Sequence, residues 1–222
     1  MGQVATSPNA RQRTRLAIVD GGGVPPPSAI VLDNFNRGDD AGNLGNASGT
    51  GQTWVQNNGT WGIISNTAYQ SANGSNVVLD KSATIDSGVV ACTIELDVPT
   101  VQAGQEIGGG IIFRYSDTTH YFAFMFYRSS VGQAFYFLFK QVGATNTVLY
   151  NSSAGVPLGG LLKIVDTSTN IKPYVAGVQV GAGVGYTDSA LNTNTKQGMF
   201  VEYGPTGSGT GTGWRFDSYS VT

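Results

Sequence analysis

Glu95 and Asp97 stand two positions apart in the run Val89–Val98, the clearest single strand that the sequence offers. Alternation along a strand sends Val90, Cys92, Ile94, Leu96 and Val98 to one face and Glu95 and Asp97 to the other, so the two carboxylates share a face. Paired carboxylates can do glycosidic chemistry: one protonates the leaving oxygen and the other attacks, with about 5–5.5 Å between them when configuration is retained. The plainer reading is an exposed strand face whose charges pair with Lys140 or Arg114. The chain has one histidine, His120, which any Ser-His-Asp triad would have to use. It follows Ser116-Asp117-Thr118-Thr119 just before an aromatic run, and reads as a turn residue. Cys92 points inward as a core thiol, and a single cysteine permits no internal disulfide. Gly108-Gly109-Gly110 opens a strand and precedes no helix, so it is no phosphate loop. No cluster has the ligands zinc needs.

The elements that would position these residues are short and extended. Between Gly108 and Gln141 lie three runs, Ile111–Tyr115, Tyr121–Tyr127 and Ala134–Lys140, separated by polar turns. Their length, their aromatic and β-branched content and those turns predict antiparallel strands. Phe122, Phe124 and Phe126 share one face of their strand, and Phe135, Phe137 and Phe139 one face of the next. Pairing them as a hairpin predicts a continuous, buried phenylalanine surface. The opposite face is then expected to carry Tyr121, Met125, Tyr127, Tyr136, Leu138 and Lys140, joined by Arg114 if Phe113 points inward. Tyr121, Tyr127 and Tyr136 with Arg114 and Glu95 make an expected contact face for a glycan or a protein.

Similar runs recur along the body. Ile30–Leu32, Thr53–Val55, Trp61–Ile64, Ala68–Gln70 and Val77–Leu79 precede the Glu95 strand; Val148–Tyr150, Leu161–Val165, Ile171–Val175, Val178–Val180, Gly198–Glu202 and Trp214–Val221 follow the aromatic stretch. Short strands at this rhythm predict an all-β, antiparallel two-sheet sandwich of jelly-roll type over residues 29–222, one domain. Only 12% of residues are charged, against roughly 25% in an ordinary soluble domain. A surface of Asn, Ser, Thr, Gln and Gly suits an extracellular or virion-exposed protein. A net charge of −2 gives no basis for nucleic-acid binding. No run approaches the roughly eighteen apolar residues of a membrane span.

Residues 1–28 read as an extended arm and linker, with Gly21–Gly23 flexible and Pro25–Pro27 stiff. Leu16–Val19 is too short for the apolar core of a signal peptide. Arg11, Arg13 and Arg15 make the arm basic, and the stretch Arg11–Val19 is expected to dock on a partner subunit, as an added strand for example.

Several pieces together resemble the concanavalin A-like lectin and glucanase superfamily, in the laminin-G-like version found in bacteriophage tail and virion proteins. They are Asp33-Asn34-Phe35-Asn36-Arg37, Leu44-Gly45, Trp54, Trp61-Gly62-Ile63, Gly109–Arg114 with Tyr121–Phe124, and Phe216–Val221. The resemblance spans residues 31–222. It implies a concanavalin A-like jelly roll whose last strand pairs with its first. It also implies a virion structural protein, a minor tail or capsid decoration protein on the virion surface, anchored to other virion proteins through the arm. A homo-oligomer would suit that placement, though nothing in the residues counts subunits. The alternative is an adhesin module that binds host-surface glycan, and a glycoside hydrolase comes third. The superfamily's hydrolases place three acids on one strand; here Pro99 and Thr100 stand where the acid/base Glu should be, so no enzyme is expected. Relatives hold a structural Ca²⁺ where first and last strands meet. Asp217 is the matching position, with Asp33 nearby, and no other cofactor is expected.

Overall fold

The protein is described as a computed structural model that places residues 29–72, 81–99, 101, 107–186, 188–203 and 213–222. The arm with Arg11, Arg13 and Arg15, and the strand expected at Val77–Leu79, lie outside the described residues. The strands are β1 Val31–Asp33, β2 Val55–Asn58, β3 Thr60–Ile64, β4 Thr67–Ala72, β5 Lys81–Asp86, β6 Cys92–Val98, β7 Ile107–Asp117 and β8 His120–Arg128. They continue with β9 Ala134–Val142, β10 Thr145–Asn151, β11 Gly160–Asp166, β12 Asn170–Val175, β13 Val178–Gln179, β14 Val184–Gly185, β15 Lys196–Tyr203 and β16 Ser218–Val221.

These strands build the two layers that the alternation predicts. The first sheet runs β1-β16-β6-β11-β12-β13, with β14 also on β12; the second runs β10-β9-β8-β7-β15-β5-β2. A separate hairpin, β3-β4, bridges to Asp40 and Phe216. Each backbone pairing is antiparallel, and first and last strands do pair, Val31 opposite Val221 and Asp33 opposite Tyr219. The main core lies between the layers, where Ile94, Leu96, Leu162 and Ile164 of the first sheet meet Ile111, Phe122, Phe124 and Phe126 of the second. Each full burial of this size contributes roughly 1.5–3 kcal/mol before the entropy of ordering is subtracted. Close approach to backbone fixes glycines outright: a Cβ on Gly62 would collide with the Asp40 carbonyl oxygen, where β3 meets the Asp40 loop, and one on Gly198 with the Ala83 carbonyl oxygen, where β15 meets β5.

The expected phenylalanine surface does not form, and the turn explains why. Five residues, Ser129–Gln133, join β8 to β9, closed by the Ser129 and Gly132 amides on the Gln133 and Ser129 carbonyls, with Gly132 at φ 79°. That length pairs Arg128 with Ala134, so even-numbered residues oppose even-numbered ones: Phe122 meets Lys140, Phe124 Leu138 and Phe126 Tyr136. A register shifted by one residue exchanges the faces of a strand. Tyr136, Leu138 and Lys140 therefore sit on the inward side with Phe122, Phe124 and Phe126. Phe137 and Phe139 join Tyr121, Met125 and Tyr127 on the outer side, in a second apolar cluster with Ile112, Tyr115 and Phe200.

Arg114 is a second departure. Phe113 points inward and stacks on Phe122 at 5.3 Å, so alternation would send Arg114 outward. A bulge between Phe113 and Asp117, with Arg114 at φ 50°, turns this side chain inward as well. There its guanidinium donates to Asp166 at 2.6 and 2.8 Å, and it lies 4.7 Å from the ring of Tyr186.

Candidate functional site

The outer face of the first sheet carries an accessible trough. The registers set Leu32, Ser220, Glu95, Lys163 and Tyr174 side by side across β1, β16, β6, β11 and β12. The neighbouring row sets Ser218, Asp97 and Leu161 together. A cavity of about 440 Å³ lies here, lined by Leu32, Asn34, Glu95, Leu161, Ser218 and Ser220, with Tyr219 beneath. Its position follows from alternation: Ile94, Leu96, Leu162 and Val221 go to the core, so the residues between them face outward.

The trough combines an apolar floor with polar groups of both kinds. Leu32 is 43% exposed, large for a leucine, and with Leu161 it offers aliphatic surface. The Glu95 carboxylate forms an ion pair with the Lys163 ammonium at 3.3 Å, and both side chains remain about 30% exposed. The Lys163 ammonium stands 6.0 Å from the ring of half-buried Tyr174. An ammonium has three donors and a carboxylate several acceptor positions, so this pair can hold neighbouring hydroxyls of a ligand while the serines add donors and acceptors. Tyr219 lies under the trough with its hydroxyl buried and without a hydrogen-bond partner, and burial raises its phenol well above the usual range.

The expected five-residue contact face is split by the structure. Glu95 lies on the outer face of the first sheet, in the trough, whereas Tyr121 and Tyr127 lie on the outer face of the second. Tyr121 is 1% exposed, so a sugar cannot stack on it. Tyr136 is in the main core at the inward side of β9, and Arg114 is wholly buried between the sheets. Glu95 pairs with Lys163 rather than with Lys140 or Arg114. Lys140 instead pairs with Asp188 at 3.2 Å. Sequence reasoning missed Lys163, Tyr174, Ser218 and Ser220; the alternation of β11, β12 and β16 already turned these positions outward.

His120 is not in the turn itself but is the first residue of β8, directly after Thr118–Thr119 and paired with Asp117 and Val142; its ring lies 3.0 Å from the Asp117 carboxylate, which also accepts from the amide and hydroxyl of Thr119. Cys92 faces the core, and burial, reinforced by the charge of Asp166, pushes its thiol up to about 12.

Asp33 does not suit a calcium ion. Its carboxylate already accepts from the Arg37 guanidinium at 2.7 and 2.9 Å, the Trp54 indole at 2.7 Å and the Phe35 amide at 2.9 Å. Donors, one of them a cation, occupy the space that Ca²⁺ would need. Asp217 is exposed and its amide donates to the Asp97 carbonyl. Among the described residues no group of three or more His, Cys, Asp or Glu could hold a metal ion.

No family model matches this chain, and no curated protein does. Solved structures share its fold. A carbohydrate-binding module, CBM66 from Bacillus subtilis, matches over 76% of this chain and 94% of its own at 14% identity, TM-score 0.52. A GH43 protein from Bacillus licheniformis matches over 86% of this chain but 38% of its own, at 13% identity and TM-score 0.60, so this chain spans about two fifths of that protein. A Bacteroides ovatus GH16 protein of mixed-linkage glucan utilisation matches over 87% of this chain and 100% of its own, at 10% identity and TM-score 0.53. The chain is thus an antiparallel two-sheet jelly-roll sandwich, the fold that it shares with these proteins. These likenesses give no support to a place on a virion, tail or capsid.

Proposed function

We propose that residues 29–222 form a non-catalytic carbohydrate-binding module whose ligand lies in the trough on the first sheet. The observation that carries this reading is a cavity of about 440 Å³ that lays the aliphatic surface of Leu32 and Leu161 beside the hydroxyls of Ser218 and Ser220 and the Glu95 carboxylate, with Lys163 and Tyr174 continuing the row on the neighbouring strands. That volume falls within the roughly 300–1,000 Å³ usual for small-ligand pockets. The likeness to a carbohydrate-binding module supports the same class of ligand. The ion pair is balanced within itself, which favours neutral over acidic sugars.

Glycosidase chemistry has two carboxylates on this face, Glu95 and Asp97, but lacks the acid/base Glu, in whose place Pro99 and Thr100 stand. Pro99 follows the end of β6, and Glu95 is engaged by Lys163. The full chain should release no reducing sugar from mixed-linkage glucan or xylan; turnover that disappears in Glu95→Gln would make the protein a hydrolase.

Binding is tested on a glycan array followed by calorimetry. Glu95→Ala should weaken the best neutral glycan about tenfold, which corresponds to about 1.4 kcal/mol. Leu32→Ser should weaken it as well. An empty array, or full affinity in both variants, refutes the trough.

A further inference from the structure

We propose a second sugar-binding pocket at the loop end of the sandwich, lined by Lys140, Leu149, Thr169, Gly185 and Tyr186. This cavity of about 440 Å³ rests on the module reading above but shares no residue with the trough. Four elements build it: the inward side of β9, the half-buried Leu149 of β10, the turn between β11 and β12, and the end of β14 with Tyr186 after it.

Its walls are fixed. Tyr186 donates its hydroxyl to Asp166 at 3.2 Å, sits against the Arg114 guanidinium at 4.7 Å, and meets Phe122 edge-on at 5.0 Å. Burial, then the charge of Asp166, pushes its phenol far above the usual range, so it stays neutral. The Tyr186 amide donates to the Thr169 carbonyl at 3.2 Å, which ties the turn to the opposite strand. Ring, turn and backbone are therefore set before any ligand arrives, and a preorganised pocket binds at lower entropic cost.

Lys140 is the group that gives the pocket its chemistry. The even-with-even register that placed it opposite Phe122 points a cation toward the mouth between the sheets, where an apolar residue would otherwise continue the core. It donates to Asp188 Oδ2 at 3.2 Å, while Asp188 Oδ1 accepts from the Ala190 amide at 3.1 Å, so the carboxylate is held on both sides. Both side chains keep partial access to solvent, at 26% and 17%. An ammonium beside a carboxylate offers donors and acceptors to adjacent hydroxyls, Thr169 adds a hydroxyl, and Leu149 adds apolar surface for C–H groups. Charges balance in pairs, Lys140 with Asp188 and Arg114 with Asp166, so the pocket fits a neutral sugar rather than an acid or a phosphate.

Two separate sites would let one module hold two stretches of polysaccharide, and linked sites gain avidity without new contacts. The test titrates the ¹⁵N-labelled full chain with xylotetraose and with a mixed-linkage glucan tetrasaccharide while amide shifts are followed. Two sets should move: Leu149, Thr169 and Gly185 at the loop end, and Ser218 and Ser220 in the trough. Lys140→Met, and independently the exposed-site variant Thr169→Val, should weaken the first set at least tenfold and leave the second unchanged. Shifts confined to the trough overturn the second pocket alone. Shifts nowhere overturn both the pocket and the module reading.

Discussion

Arg114→Met should destabilise the body by about 3–5 kcal/mol, the usual result of removing one partner from a buried ion pair. In a domain of this size such a loss lowers the melting temperature by about 10 °C. The side chains of Arg114 and Asp166 are 0% and 1% exposed, joined by two charged hydrogen bonds at 2.6 and 2.8 Å. Without the guanidinium, Asp166 would remain buried between the sheets, holding only the Ser168 amide and the Tyr186 hydroxyl. Desolvation without compensation is what makes the loss large. The double variant Arg114→Met with Asp166→Leu should recover most of the stability, because removing both charges also removes the cost of burying them. Urea melts of the two single variants and the double variant measure this. A single variant as stable as the parent would mean that water reaches the pair. The same substitution takes the support from behind Tyr186, so sugar-induced shifts at Gly185 should weaken in parallel.

The layers of the fold are readable from alternation, and their registers are not. Val89–Val98 declares its faces because apolar and polar residues take turns along it, and the structure keeps Ile94, Leu96 and Val98 in the core with Glu95 and Asp97 outside. The aromatic hairpin declares nothing of the kind, because both faces of β8 and β9 are apolar. With no polar face to fix the pairing, the decision passes to the five-residue turn Ser129–Gln133, whose length no hydrophobic pattern encodes. Arg114 was unreadable for a related reason: a bulge breaks the period on which the prediction depends. The candidate site was half visible. Glu95 was found, but which sheet a strand joins is a long-range fact, and β6 and β8 belong to different sheets, so the tyrosines grouped with it lie on another face. Lys163, Ser218 and Ser220 were within reach, since their own strands already turn them outward.

Asp33 should make the protein sensitive to acid, and Asp33→Ala should destabilise it by about 3 kcal/mol, since hydrogen bonds to a charged group contribute roughly 1.5–3 kcal/mol each and the lost partners overlap in one cluster. Burial by itself would raise the pKa of this carboxyl. The hydrogen bonds from Arg37, the Phe35 amide and Trp54, together with the charge of Arg37, outweigh that and hold it below the ordinary 3.8. A carboxyl whose folded pKa is depressed contributes stability that is fully present above its unfolded pKa and is lost as pH falls through the folded value. The loss therefore falls below about pH 4, and near neutral pH the contribution is intact. Asp86 and Asp117 are also depressed, the first chiefly through its hydrogen bond from Thr195 and the second through its bonds from Thr119 and His120 against the cost of burial, but both are largely exposed and contribute less. Asp33→Asn keeps the shape and removes the titration, so between pH 5 and pH 2 its melting temperature should fall less steeply than that of the parent. Equal slopes would place the acid sensitivity elsewhere. The substitution acts on the fold at the first strand: Asp33 gathers Arg37, Phe35 and Trp54, and Trp54 packs edge-on against Tyr219 at 5.1 Å, directly beneath the trough. Loosening that cluster should weaken glycan binding at Glu95 even where the variant is still folded, and an affinity equal to the parent's would show that the trough does not depend on the turn below it.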